Sequence, residues 1–320
     1  MKFAAAALSL VLMVPGLAQS QAPAPPYLLD PGELPPPTST PGSWPAADGS
    51  GVGLRHSDCP STGMTPYTGS STLTTGTTIH NKSYSGQLTV AGNNVTISCS
   101  DITNPGGNYG VLVGRSGGSA NNTLITKSII HNINTSGNHQ GKAIYNTGYS
   151  TNLTVEYSEF TAAEDFIHSE GSDAVFHDNW FHNVLADAPG GPNLHCDAIA
   201  VASGANVTIR NNRFDRFAGL SLAMIMVQPA GSCPSMTNID IISNYIDGDG
   251  NGNVVLLDKS TGCTCPTGMD LTNNVFGPLA YPPASTPFTY GSGDKACTPV
   301  SQRGGSCSGN KLSNGSSTGC

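Results

Sequence analysis

The chain has 320 residues and a formal net charge of −8, with only 13 Lys plus Arg and 11% charged residues. Nucleic-acid binding requires a basic surface that neutralises phosphates, so this composition argues against that class of function. Because charges are so few, the surface must consist largely of Asn, Ser, Thr and Gly. Such a surface suits hydrogen bonding to sugars.

The first 22 residues have the features of a signal peptide: Lys2, an apolar run over residues 4–17, and small residues before Ala22. Residues 23–50 are rich in Pro and small polar residues, a composition typical of an extended linker or arm. No later segment approaches the roughly 20 apolar residues that a membrane span needs. We therefore predict a secreted, extracellular protein whose folded domain covers residues 51–320.

Nine cysteines in an exported chain indicate disulfides, and the odd number leaves one cysteine outside them. Most of the cysteines lie in the C-terminal third, at Cys233, Cys263, Cys265, Cys297, Cys307 and Cys320. This clustering predicts a disulfide-bonded cap at the C-terminal end of the domain. The sequence leaves the pairing open.

One nine-residue pattern recurs seven times along the chain. The segments begin at Asn94, Asn122, Asn152, Asp173, Asn206, Asn238 and Gly268, so their starts are 28, 30, 21, 33, 32 and 30 residues apart. A period in this range indicates stacked supersecondary units, and the β-rich content punctuated by Asn and Gly favours a β-solenoid over helical repeats.

Aligned, the seven segments define three columns. Positions four and nine are aliphatic or aromatic, from Ile97 and Ile102 in the first segment to Leu271 and Phe276 in the last, and predict two stacks in the core. Position seven is Ser in three segments and Asn in four, beginning at Ser100. Small polar residues in such a column predict a hydrogen-bonding ladder at a turn.

A second strand precedes the pattern in most units, as in residues 142–148 and 196–204, and residues 87–93 form a further strand. With these strands, the stretch 74–276 resembles secreted right-handed parallel β-helix proteins of the pectate-lyase type. The resemblance implies an all-β fold, a β-solenoid with three sheets.

Aligning the second strands on their central isoleucines places Lys142, Asp165 and Asp197 in one column of three consecutive units. Neighbouring strands lie about 4.8 Å apart, so the pKa of one carboxyl should rise, an arrangement typical of working sites. The column faces solvent only if each strand bends beside it. Without the bend, the two Asp side chains are buried and bind backbone amides.

Two segments of this column resemble a known family. Residues 195–201 (HCDAIAV) and 164–171 (EDFIHSEG) are similar to the Asn-Thr-Asp-Gly-Ile and Asp-Asp elements of polygalacturonases, in which the Asp residues before an Ile are catalytic. The order of the two elements is reversed, and the Gly-His-Gly and Arg-Ile-Lys motifs of that family are absent. The resemblance therefore implies catalytic roles for Asp165 and Asp197 without the whole polygalacturonase mechanism.

We predict a polysaccharide lyase that cleaves a uronic-acid-containing glycan by β-elimination. In this hypothesis Lys142 or His168 is the base, and Asp165 and Asp197 hold a Ca²⁺ ion that neutralises the sugar carboxylate. His195 is a further candidate catalytic residue. The candidate substrate-binding residues are Glu164, Glu170 and Tyr145 beside the column, and Trp180, Arg210 and Arg213 at outward positions of the repeat.

Two alternatives stay open at this point. A glycoside hydrolase would use Asp165 and Asp197 as acid and base, or as acid and nucleophile. A non-catalytic glycan-binding or cell-surface β-helix would use the same carboxylates for structure alone. In each case we expect a monomer that contacts a polysaccharide and neither nucleic acid nor a membrane.

Overall fold

The computed structural model describes residues 44–46, 48–60, 63–134, 141–183, 196–215, 223–248, 254–278, 280, 287–291, 293 and 296–320. His195, the predicted signal peptide and most of the predicted linker lie outside these residues. Residues 37–320 form one compact unit. The described ranges contain 28 β-strands and two short 3-10 helices, Gly53–Arg55 and Val300–Arg303. None of the helices in these ranges is long and apolar enough to cross a membrane.

The strands, numbered β1–β28 in chain order, form three sheets. Sheet A contains β1 (Thr65–Pro66), β4 (Lys82–Ser85), β7 (Asp101–Asn104), β10 (Ile129–Ile133), β13 (Glu159–Thr161), β16 (Trp180–His182), β19 (Arg213–Asp215), β22 (Tyr245–Asp247), β25 (Val275–Phe276) and β28 (Lys311–Leu312). Sheet B contains β2 (Thr72–Leu73), β5 (Leu88–Val90), β8 (Tyr109–Val113), β11 (Lys142–Asn146), β14 (Asp165–Ser169), β17 (Asp197–Val201), β20 (Ala223–Val227), β23 (Val255–Leu257) and β26 (Phe288–Thr289). Sheet C contains β3 (Thr78–His80), β6 (Thr96–Ser98), β9 (Ala120–Thr126), β12 (Ser150–Glu156), β15 (Val175–His177), β18 (Ala205–Arg210), β21 (Thr237–Ile242), β24 (Asp270–Thr272) and β27 (Ser306–Ser308).

The chain visits sheets A, B and C in turn, so each coil contributes one strand to each sheet. Neighbouring strands within a sheet are parallel, as where β11 pairs with β14 and β12 with β15. The nine-residue pattern spans a strand of sheet C, a turn and a strand of sheet A, and the predicted second strands form sheet B. The predicted three-sheet parallel β-helix is confirmed.

The core runs along the helix axis between the three sheets. Every residue of the two predicted apolar stacks is fully buried. One stack is aromatic in the middle of the chain, where the ring centroids of Phe160 and Phe181 are 5.0 Å apart and those of Phe181 and Phe214 are 4.9 Å apart. Inward side chains thus repeat from coil to coil, as a parallel register requires.

The predicted polar ladder lies at the turn from sheet C to sheet A. The backbone N–H of Ser100 donates to Ser128 Oγ at 3.1 Å, and the N–H of Asn212 donates to Asn244 Oδ1 at 3.0 Å. Each Asn amide also donates to a strand carbonyl, as Asn212 does to Phe176 at 2.8 Å. These bonds satisfy buried turn amides and link each coil to its neighbours.

Residues 44–60, here called the N-terminal strap, lie against the outside of the coils. The Trp44 indole donates to a carbonyl in the turn before β22 at 2.7 Å, while Arg55 pairs with Glu159 at 2.6 Å. The strap is also joined to the first coils by the disulfide Cys59–Cys99. The end of the predicted linker therefore packs on the domain, because its Trp44 finds a hydrogen-bond acceptor and an aromatic neighbour there.

Four disulfides link the chain. They join Cys59 to Cys99, Cys233 to Cys263, Cys265 to Cys297, and Cys307 to Cys320. Three of them lie in the C-terminal third, where the sequence predicts a cap. Cys196 is buried and stands outside these four bonds.

We expect the substitution Asn212→Ala to lower the free energy of unfolding by about 1–3 kcal/mol, because it leaves buried partners of the ladder without hydrogen bonds. Urea denaturation measures the change. Thr208→Ala, on the outer side of the neighbouring strand, is the control. Equal effects of the two substitutions would show that the ladder does not stabilise the coil.

Candidate functional site

The strands of sheet B bend near their first residues. In β11, the consecutive residues Ala143 and Ile144 both belong to the buried core, and the same holds for Phe166 and Ile167 in β14. Strict alternation would send one of each pair outward. Since both point inward, the preceding residue lies on the outer face, which is the bend that the sequence requires for an outward column.

Lys142, Asp165 and Asp197 form the predicted column on the outer face of sheet B. Lys142 pairs with Asp165 in the strand register, and Lys142 Nζ lies 3.0 Å from Asp165 Oδ2. The backbone N–H of Asp197 donates to Asp165 Oδ1 at 3.1 Å. The N–H of Ala223 donates to Asp197 Oδ1 at 3.0 Å. One carboxyl oxygen of each Asp thus binds the next coil.

Both Asp residues are nevertheless buried, with exposed fractions of 4% for Asp165 and 1% for Asp197. Their bonds to the amides of the next coil are the structural role that the sequence leaves open. One oxygen is unaccounted for by that role, because within the described residues Asp197 Oδ2 is buried and has no hydrogen-bond partner. Such groups are rare in native proteins and call for a functional explanation.

Three further side chains continue the site toward solvent. His168 Nδ1 lies 3.6 Å from Asp165 Oδ2, and His168 Nε2 lies 3.6 Å from Glu170 Oε1. Tyr145 donates its phenol hydrogen to the same Glu170 oxygen at 2.9 Å. The ring of Tyr145 meets that of His168 edge to face, with centroids 5.2 Å apart. The structure thus brings Lys142, Tyr145 and these residues together as predicted.

The two carboxyls of the column have opposite pKa shifts. Burial raises the pKa of Asp197 well above its usual value, and the negative charge of Asp165 raises it further. Burial also acts to raise the pKa of Asp165, but His168 and the charge of Lys142 outweigh it and lower that pKa. At neutral pH, Asp165 is therefore ionised and Asp197 holds its proton more tightly than an ordinary Asp.

The basic groups beside them are held in their protonated forms. Burial acts to lower the pKa of Lys142, but the charges of Asp165 and Glu164 outweigh it and raise that pKa. For His168, burial likewise acts to lower the pKa, and Asp165 and Glu170 outweigh it. The pKa of Tyr145 is raised by burial and by its bond to Glu170.

The remaining predicted residues occupy other places. Glu164 is buried next to Asp165. Trp180 and Arg213 lie on sheet A, where both donate to Asp215, at 2.8 Å and 2.5 Å. Arg210 is exposed at the end of β18 in sheet C. The expected substrate-binding positions of the repeat therefore belong to two faces other than that of the column, because positions five and eight fall on different sheets.

Tyr109 belongs to the column but was not predicted. It pairs with Lys142 in the strand register, and its ring centroid is 5.2 Å from that of Tyr145. Extending the alignment of the second strands by one unit, with Val111 in the place of the isoleucine, would have located it.

The residues present fit Ca²⁺ poorly. The ion takes six to eight oxygen ligands, most of them charged or carbonyl oxygens. Here Asp165 is neutralised by Lys142, and Asp197 is held protonated, so the column lacks the anionic oxygens that the predicted role requires. Within the described ranges, no group of three or more His, Cys, Asp or Glu side chains is placed to hold a metal ion.

One comparison with known proteins bears on this surface. A family model described as a right handed beta helix region matches residues 66–224, a range that contains the whole column. The match agrees with the three parallel sheets, so the chain folds as a right-handed parallel β-helix. No curated protein matches the chain significantly.

The opposite pKa shifts predict opposite pH dependences of stability. Because the folded state raises the pKa of Asp197, this group stabilises the fold below its unfolded pKa of about 4 and that stability is lost as pH rises. Asp197→Asn should therefore gain stability relative to the parent between pH 4 and pH 8, as measured by denaturant titration.

Asp165→Asn should behave in the other direction. The lowered pKa of Asp165 gives stability that is present above about pH 4 and lost in acid, so this variant should be weaker than the parent at pH 8 and approach it in acid. Stability differences that are the same at both pH values would contradict the assigned protonation states.

Proposed function

We propose that the chain is a secreted glycoside hydrolase that cleaves a polysaccharide on the outer face of sheet B. The observation that carries the proposal is the pair of carboxyls on adjacent coils, one ionised and one protonated, with a buried Asp197 oxygen that has no partner in the described residues. The right-handed β-helix fits carbohydrate-active proteins. Four disulfides are typical of proteins exported to an oxidising compartment.

The roles follow from the protonation states. Asp197 is the general acid that gives its proton to the glycosidic oxygen as the bond from that oxygen to the anomeric carbon breaks. Asp165 is the carboxylate that either removes a proton from the attacking water or attacks the anomeric carbon itself. Lys142 and His168 keep Asp165 ionised. Pairs of carboxyls whose environments separate their pKa values are the usual basis of such assignments.

The same protonation states weigh against the lyase that the sequence favours. Elimination needs an unprotonated base to remove the C5 proton of a uronate. Lys142 and His168, the candidate bases, both have raised pKa values. A hydrolase instead needs a carboxylic acid that remains protonated near neutral pH, and the site offers Asp197.

A second candidate function is non-catalytic glycan binding. The burial of both Asp residues favours it, since each Asp also binds an amide of the next coil. In this case the outer face of sheet B would hold a polysaccharide without cleaving it. The two functions differ in whether any product forms.

A product screen decides between them. Purified protein is incubated with polygalacturonate, alginate, xylan and a neutral glucan, and each reaction is assayed for reducing ends and for near-ultraviolet absorbance of unsaturated sugars. We expect reducing ends from at least one polymer without such absorbance. Asp197→Asn and Asp165→Asn should each reduce the rate by about 10²- to 10⁴-fold.

Asp240→Asn is the matched control, because Asp240 is a half-buried carboxyl on sheet C with a raised pKa of its own. Its rate should equal that of the parent. Unsaturated products would return the case to the lyase. Retention of a polymer on an affinity gel without any product would favour the binding protein.

A further inference from the structure

The outer face of sheet B changes from open to closed along the helix axis. Two columns of side chains point outward on this face. The first runs through Tyr109, Lys142, Asp165, Asp197 and Ala223. In this column Tyr109 and Lys142 are half-buried, whereas the three residues that follow are buried.

The second column changes at the same coil. It runs through Thr89, Leu112, Tyr145, His168, Ala200, Met226 and Leu256. The first four side chains are half-buried. Ala200 is fully buried, and Met226 and Leu256 are each 6% exposed, so these three form a closed apolar cluster with Ala223. The boundary therefore lies at the coils of Asp165 and Asp197.

The open side carries aromatic surface. Tyr109 and Tyr145 lie on adjacent coils with their ring centroids 5.2 Å apart. Tyr149, in the turn after β11, is 55% exposed, and it is the one large hydrophobic residue among the described residues with that degree of exposure. Aromatic rings combine a large apolar face with a polar edge, which suits contact with sugar rings.

We propose that the polysaccharide lies only along the N-terminal coils of sheet B and ends at the Asp165–Asp197 pair, so that the enzyme removes short units from a chain end. The inference rests on the proposed function and adds to it the mode of attack. A polymer bound across the pair in both directions would have to pass over the closed cluster around Met226. One that reaches the pair from the side of Tyr109 contacts only open surface.

The time course of products tests the mode of attack. The probe is the polymer that yields reducing ends in the screen with the parent protein. Chain-end cleavage releases one short product from the earliest times, while the viscosity of the solution falls only slowly for each reducing end formed. A broad ladder of oligosaccharides with an early collapse of viscosity would overturn the inference, although hydrolysis itself would stand.

A binding experiment tests the direction without relying on turnover. In gel electrophoresis with the same polymer in the gel, the inactive Asp197→Asn protein should be retarded. Adding Tyr109→Ala should weaken this retention by roughly tenfold, the equivalent of about 1.4 kcal/mol. Tyr157→Ala, an equal change at a turn between sheets C and A, is the control. Equal retention of both double variants would overturn the proposed direction.

The two proposals fail in different ways. No reducing ends from any polymer would remove the hydrolase and the mode of attack together. Reducing ends released as a broad ladder would remove the mode of attack alone. Circular dichroism of Tyr109→Ala establishes that a loss of retention does not arise from unfolding, and Tyr109→Phe, which keeps the ring, should restore retention.

Discussion

The buried Ser and Asn side chains at the turns from sheet C to sheet A fix the register between neighbouring coils. Each of them accepts the N–H of the preceding coil, so a coil that slipped by one residue would lose these bonds in an interior where unsatisfied amides are costly. Because side chains alternate with a period of two, the same register keeps the apolar stacks inside the helix. It also places residues that are 23 and 32 positions apart in sequence on adjacent coils of one face.

The site repeats the ladder's chemistry with a different functional group. At the turns, a hydroxyl or amide oxygen accepts an N–H from the adjacent coil. In sheet B, Asp165 and Asp197 do the same with one carboxyl oxygen. A carboxyl has a second oxygen and a proton that it can lose. The structural role fixes the position of the group, and the second oxygen is what chemistry can use. Burial and catalysis are therefore compatible in this arrangement.

Much of this fold can be predicted from the sequence, because the repeat makes many coils report the same pattern. The stacks beginning at Ile97 and Ile102 and the ladder beginning at Ser100 are found where the pattern places them. The Lys142–Asp165–Asp197 column is visible for the same reason. The cysteine count indicates disulfides, but their pairing depends on three-dimensional proximity that no local pattern encodes.

The missing parts of the site depend on interactions that the repeat does not show. The bend beside Phe166 arises from packing of two consecutive side chains into the core, whereas alternation alone predicts a straight strand. Protonation states depend on burial and neighbouring charges, which made Lys142 and His168 look like bases in the sequence. The strap is missed because a single contact such as that of Trp44 with a distant turn leaves no periodic signal.

The central claim is that Asp165 and Asp197 hold opposite protonation states in the folded protein at neutral pH. Carbon-13 NMR of protein labelled at the Asp carboxyl carbons measures this directly, with Asp165→Asn and Asp197→Asn used to assign the two resonances. We expect the Asp165 resonance to have the chemical shift of a carboxylate throughout the weakly acidic range, and the Asp197 resonance to keep that of the protonated acid well above the pH at which exposed Asp residues titrate. Two resonances that both titrate near pH 4 would contradict the account.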